Sequence, residues 1–285
     1  MILLVAGSLV SAQSGLLERG NDAYRSHRPL EAVQLYREVL QSSPDRADVR
    51  VFLGGALLNL NRIDEAAEEA RRAIASDPKL ARAHTLAGRV LGEKRLWQQA
   101  QSEFAAAGML DASDREAPYF SGRTFLDASR FADAIGQFQR AIALGAEQAR
   151  VYENLGIAYA ASGESGKADA AYRKAVELAG SDFHPAYSYG NFLFEQQKLV
   201  ESKAMLQSAL RQEQNDPGLR FALARVLFHD DDIAGAGEVL EKVRESPDCR
   251  VHTLLARIYA RQKKAAELSH EEDLLHQCRA ESTQP

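Results

Sequence analysis

The string Ala161-Ser162-Gly163-Glu164-Ser165-Gly166-Lys167-Ala168 comes closest to a reactive motif, because glycines followed by a lysine can cradle a phosphate. A phosphate loop needs a strand before it and a Ser or Thr after the lysine to hold Mg²⁺. Here a helical pattern precedes it and Ala168 fills the hydroxyl slot, so the string reads as a turn between helices. Two groups carry metal-ligating side chains: His229-Asp230-Asp231-Asp232, and His270, Glu271, Glu272, Asp273 with His276. Neither has zinc-protease or calcium-loop spacing, and the two histidines of the second do not share a helix face closely. No Ser or Cys sits in a nucleophile motif. The expectation is a protein that is not an enzyme, with no catalytic residue, no metal and no cofactor.

What must position such residues is a helical framework. Among 285 residues, 45% are hydrophobic, alanine is frequent and β-branched runs are scarce, which favours an all-α fold. A net charge of −5, spread along the chain, argues against nucleic acid as a partner, since a phosphate-binding face needs excess Lys and Arg. No stretch reaches the roughly 18 apolar residues of a membrane span, so no membrane insertion of the mature chain is expected. Residues 1–12 are apolar and end in Val10-Ser11-Ala12, the form of a signal-peptidase site, although no Lys or Arg precedes the apolar run. They read as a signal peptide, which makes the chain exported (periplasmic or secreted), or as an apolar N-terminal segment, which leaves it cytoplasmic.

The strongest signal is a period of 34 residues. Gly20, Gly54, Gly88, Gly122, Gly156 and Gly190 fall at that spacing, as do Ala32, Ala66, Ala100, Ala134, Ala168 and Ala236, with Ser202 in the one remaining slot. A glycine inside a helix costs about 1 kcal/mol relative to alanine, so the series implies a gain from close approach between helices. The two series are expected to meet across each helical hairpin. Four residues after the small position come Tyr36, Phe104, Phe138, Tyr172, Leu206 and Leu240. Pro44 and Pro78 close the first two units, and Asn61-Arg62, Ser162-Gly163 and Asp230-Asp231-Asp232 supply loops within hairpins.

Leu53-Gly54, Leu57, Ala66, Ala73 and Pro78 in one unit, and Tyr152, Leu155-Gly156, Tyr159, Ala168, Tyr172 and Ala175 in another, resemble the tetratricopeptide repeat. The resemblance implies a right-handed superhelical solenoid of helix-turn-helix repeats over residues 13–279, read as one domain, with 280–285 as a disordered tail. Seven regular units cover 13–250, and an irregular pair over about 251–279 serves as the C-terminal cap. Cys249 and Cys278 flank that last pair nearly symmetrically about a loop near Gln262-Lys263-Lys264. In an oxidising compartment they could form a disulfide; otherwise they are two separate thiols.

In this family the first helix of each pair lines the concave surface, which implies a protein or peptide partner. Carried over by register, its outward columns include Arg89, Tyr119 and Arg123 as a central patch. They also include Tyr187, Asn191, Phe194, Phe221, Arg225 and Phe228 as a second, aromatic one. Clustered aromatics with Arg are usual interface anchors. The family's chaperone-tail carboxylate clamp is not matched, because Leu17 and Phe52 stand where it has Lys and Asn. Replacing Phe194 and Arg225 together by alanine is expected to remove partner capture and leave the fold intact. The role implied is a scaffold or adaptor that binds a peptide segment or partner subunit in its concave groove; the alternatives are a module that recruits substrate for a separate enzyme, or an enzyme whose site is assembled in space from separate repeats.

Overall fold

The computed structural model describes residues 2–282, and the side chains of residues 13–278. Among the described residues there are sixteen α-helices and no strand. They fall into two compact units, 1–147 and 148–285. The first holds α1 (Ile2–Arg25), α2 (Pro29–Ser42), α3 (Ala47–Asn59), α4 (Ile63–Ser76), α5 (Ala81–Glu93), α6 (Trp97–Leu110), α7 (Glu116–Asp127) and α8 (Phe131–Ala143). The second holds α9 (Ala149–Ala161), α10 (Ser165–Leu178), α11 (His184–Glu195), α12 (Leu199–Gln212), α13 (Pro217–His229), α14 (Ile233–Glu241), α15 (Cys249–Gln262) and α16 (Ala265–Ser282). Odd-numbered helices are first members of hairpins, even-numbered ones second members. Within each unit every hairpin packs on the next, and first helices also touch first helices.

Residues 1–12, expected to be a signal peptide or apolar segment, have side chains outside the described residues, while their backbone from Ile2 belongs to α1. At the other end α16 runs to Ser282, so helix extends into the expected tail; residues 283–285 lie outside the described residues.

The glycine series is explained by what lies beside it. A methyl group built on Gly20 would come within 2.7 Å of the Tyr36 ring, and on Gly88 or Gly122 within 2.6 Å of Phe104 or 2.7 Å of Phe138. In the second unit the same holds for Gly156 against Tyr172 (3.0 Å) and Gly190 against Leu206 (2.7 Å). The glycine therefore chiefly makes room for the large side chain sixteen residues later, rather than for the alanine twelve residues later. Gly54 shows the rule by its departure: its opposite position is Ala70, and Leu86 from α5 fills the gap instead. Ala32, Ala66, Ala100, Ala134, Ala168 and Ala236 are all fully buried. Ser202 occupies the same slot without penalty because its Oγ donates to the Gly190 carbonyl at 2.7 Å.

Each first helix ends in the same way. His27, Asn61, Arg95 and Ser129 in the first unit, and Gly163, Gln197 and Asp231 in the second, have positive φ and recur at the period; Lys263 does so two residues early. The residue after each donates its backbone N–H to a carbonyl five residues back, as Arg62 does to Leu57 (2.9 Å) and Glu164 to Tyr159 (2.9 Å). This is the Schellman closure, which caps free carbonyls at a helix end. The phosphate-loop lookalike is accounted for here: Gly163 is the left-handed turn residue between α9 and α10, and Lys167 ion-pairs with Glu164.

A second periodic device ties linkers to hairpins. Arg50 donates to the Pro44 carbonyl (2.7 Å) and pairs with Glu69 (2.6 Å). His84 bridges Pro78 and Glu103, and His252 bridges Ser246 and Glu271, at the same sequence offsets. Arg220 reaches the Gln214 carbonyl at 2.6 Å, but Val239 stands where the acid would be.

Candidate protein-interaction surfaces

In the first unit, Arg89 on α5 lays its guanidinium 4.2 Å from the centre of the Phe120 ring on α7 and is hydrogen-bonded to Tyr24. Burial pushes that guanidinium below its ordinary value, with Tyr24 and Glu116 opposing the shift and Arg123 adding to it. Arg123 is exposed, whereas Tyr119 is not: only 7% of it is accessible, and it packs against Phe120 and Phe138. Tyr119 is thus a core residue of the α7–α8 hairpin and not a surface anchor. Phe120, next to it, is half-buried and is the ring over which Arg89 stands. A period of 34 cannot tell which of two adjacent aromatics turns outward.

In the second unit, Asn191 on α11 and Arg225 on α13 occupy the same register and are joined, Arg225 Nη2 donating to Asn191 Oδ1 at 3.0 Å. Asn191 Nδ2 donates in turn to the Tyr187 carbonyl at 3.1 Å. Arg225 also stands 4.2 Å from the Phe194 ring centre and 3.7 Å from Glu195. Phe194 is buried in the hydrophobic core with Leu206, Leu219 and Leu223, edge-on to His229. It therefore supports the surface from below and corrects the expectation of an exposed aromatic; its replacement by alanine removes core volume. Tyr187, Phe221 and Phe228 are half-buried and remain at the surface.

Arginines that the sequence reading did not single out complete this face. Arg250 lies 5.1 Å from the Phe221 ring centre, and Arg257 and Arg261 lie 4.9 and 5.6 Å from that of Phe228. Arg257 on Phe228 is the Arg225-on-Phe194 pair one unit later, shifted by the two residues that the last unit lacks. Such stacking fixes a cation over an apolar ring. At the neighbouring register Glu153 on α9 accepts from Ser188 Oγ at 2.6 Å, and burial raises its carboxyl above the usual glutamate value.

The C-terminal pair is stapled by a disulfide between Cys249 and Cys278, Cα–Cα 5.8 Å. A cavity of about 470 Å³ lies beside it, lined in part by Arg244, Ser246, His252 and His270. Two of its lining side chains are paired with the fully buried Glu271, Arg244 at 2.6 Å and His252 at 2.8 Å. Among the described residues no group of three His, Cys, Asp or Glu side chains could hold a metal ion, and no helix is long and apolar enough to cross a membrane.

Two family models described as tetratricopeptide repeat match this chain, one at residues 23–90 and 193–258, the other at 121–183. Superkiller complex protein 3 of Mus musculus is 31% identical over 186 residues, 63% of this chain, which spans 12% of that relative's length. Among solved structures, the APC/C hetero-tetramer Cut9-Hcn1 aligns over 84% of this chain and 48% of the other, at 18% identity and TM-score 0.69. A tetratricopeptide repeat protein from Parabacteroides merdae aligns over 87% and 99%, at 12% identity and TM-score 0.58. YrrB, described as having an unusual peptide-binding site, aligns over 69% and 99%, at 22% identity and TM-score 0.52. At these identities the structural neighbours share the fold.

Proposed function

Because this chain belongs to the tetratricopeptide repeat family, we propose that it is an interaction scaffold that holds an extended segment of a partner protein against the first-helix face of its second unit. The carrying observation is the Asn191–Arg225 hydrogen bond. It fixes an amide and a guanidinium side by side on adjacent first helices, between the half-buried rings of Tyr187, Phe221 and Phe228. An asparagine amide has two N–H groups and two lone pairs, so after its bonds to Tyr187 and Arg225 it keeps a donor and an acceptor for a peptide group. The flanking rings supply apolar contact area for alternate side chains. YrrB's described peptide-binding site, on a related fold, supports the same use of this architecture.

No catalytic role is part of this proposal. The Cys249–Cys278 bridge supports a location outside the cytoplasm, since such bonds persist in oxidising compartments.

The test is selection from a displayed library of random peptides, about 12 residues long to span several repeats. Binding of the selected peptide to wild type is then compared with binding to Asn191→Ala/Arg225→Ala. The expected loss is about tenfold or more with an unchanged melting temperature. Equal binding by the double variant would place the site elsewhere.

A further inference from the structure

Charge is sorted by helix at the end of the second unit. Helix α13 carries Arg220 and Arg225, and α15 carries Arg250, Arg257 and Arg261, and neither has an Asp or Glu. Their hairpin partners are opposite: α14 carries Glu238 and Glu241 with no cation, and α16 carries Glu267, Glu271, Glu272 and Asp273 before its first arginine. First helices are thus basic and second helices acidic. On the basic side the guanidinium groups are not loose: Arg225, Arg250, Arg257 and Arg261 each stack on a phenylalanine of the preceding first helix. Their carboxylate contacts differ. Arg250 is paired with Asp248 at 2.7 Å, Arg261 with Asp231 at 2.5 Å, and Arg225 lies 3.7 Å from Glu195. Arg257 has no acidic partner among the described residues.

We propose that this face selects acidic peptides, with Arg257 and Arg225 as the cations that receive the peptide carboxylates. The selectivity builds on the peptide-binding role proposed above and adds the chemistry of the partner. A guanidinium held over a ring has already lost much of its rotamer freedom, so pairing with a carboxylate costs less ordering than at a free arginine. Its planar fork donates two parallel N–H bonds to a carboxylate. Arg225 and Arg257 take equivalent places on successive first helices, each over the phenylalanine of the helix before, so an extended chain that meets both needs acids spaced by several residues rather than adjacent ones. The acidic second helices oppose a partner of the same sign on the other side, which leaves the basic side as the complementary one.

The test uses the full-length oxidised protein and three labelled peptides of equal length, one alternating Glu and Gly, one alternating Lys and Gly, one of Ser and Gly, with a single-stranded oligonucleotide as a fourth probe. The acidic peptide is expected to bind about tenfold or more tighter than the neutral one, with affinity falling as salt rises. Arg257→Glu is expected to lose about tenfold in affinity for the acidic peptide and none for a neutral library-selected peptide. Arg257→Gln, which removes charge without adding the opposite one, should fall between. The proposal is overturned if the acidic probe binds no tighter than the neutral one, if the Arg257 variants bind it as wild type does, or if the oligonucleotide outcompetes it. If the acidic probe binds no tighter than the neutral one while a library-selected peptide still depends on Asn191, the acidic selectivity falls and the peptide-binding face stands. Failure of every library peptide to bind would remove the face itself.

Discussion

The guanidinium of Arg225 stands 4.2 Å from the centre of the Phe194 ring, with the ring in the core and the cation partly exposed above it. The two positions therefore separate stability from binding. Phe194→Ala should cost about 3–5 kcal/mol, the usual range for truncating a core phenylalanine. Arg225→Ala should cost under about 1 kcal/mol, since a partly exposed cation–π pair contributes little more. Chemical denaturation of the two variants checks the split; equal losses would show that Phe194 does not bear core load.

Glycine substitutions should divide by what surrounds them. Gly122→Ala places a methyl within 2.7 Å of the Phe138 ring and should destabilise by about 1–3 kcal/mol through overpacking. Gly136 lies in α8 with nothing within 4 Å of an added methyl, so Gly136→Ala should stabilise by about 0.5–1 kcal/mol. Melting temperatures that move in the same direction for both would contradict this assignment.

The left-handed turn positions offer the opposite experiment. Arg95 and Gln197 adopt φ of 57° and 59°, a conformation that costs a non-glycine residue about 1–2 kcal/mol. Arg95→Gly and Gln197→Gly should each recover part of that cost and raise the urea midpoint, whereas Gly163→Ala, at φ 81°, should lower it.

Ionised Glu153 is disfavoured by burial, so its folded-state value lies above the ordinary 4.5. The folded protein then holds its proton more tightly, and stability falls as pH rises from 4.5 through the raised value. Glu153→Gln should melt higher than wild type at neutral pH, and the advantage should vanish below pH 4.5, where both side chains are neutral. An advantage that is constant with pH would point to packing instead of charge.

Much of the fold was legible because a period is a property of sequence. The Gly and Ala slots, the hairpin loops and the irregular last unit all follow from residues 34 apart. Of the left-handed turn positions, Asn61, Gly163 and Asp231 stand in loops legible from sequence, whereas His27, Arg95, Ser129 and Gln197 carry no turn signal, because the series shares a backbone conformation and no side-chain chemistry. Arg50, His84, Arg220 and His252 could have been found, since a basic residue at one phase is followed nineteen residues later by an acid in three of the four units. The surface was legible only in part. Which ring of Tyr119 and Phe120 turns outward, and that Phe194 lies beneath Arg225, depends on the next helix in space. Arg257 is hidden because the last unit is two residues short and slips out of the Arg225 column, and Arg250 and Arg261, at the registers of Gly218 and His229, lie outside the columns altogether.

Reducing the Cys249–Cys278 bridge frees a loop of 29 residues and should cost about 3–4 kcal/mol on the chain-entropy model. Cys249→Ser/Cys278→Ser and reduced wild type should melt together, below oxidised wild type. Coincidence of all three would show that the bridge contributes no stability.

Amide-resolved NMR of the second unit's first helices, within the full chain and with a library-selected peptide, tests the binding face most directly. The expected result is shifts concentrated on Asn191, Phe221, Arg225 and Phe228, with the second-helix surface at Val200 and Glu238 unchanged. Shifts confined to Val200, Glu238 and their neighbours would contradict it.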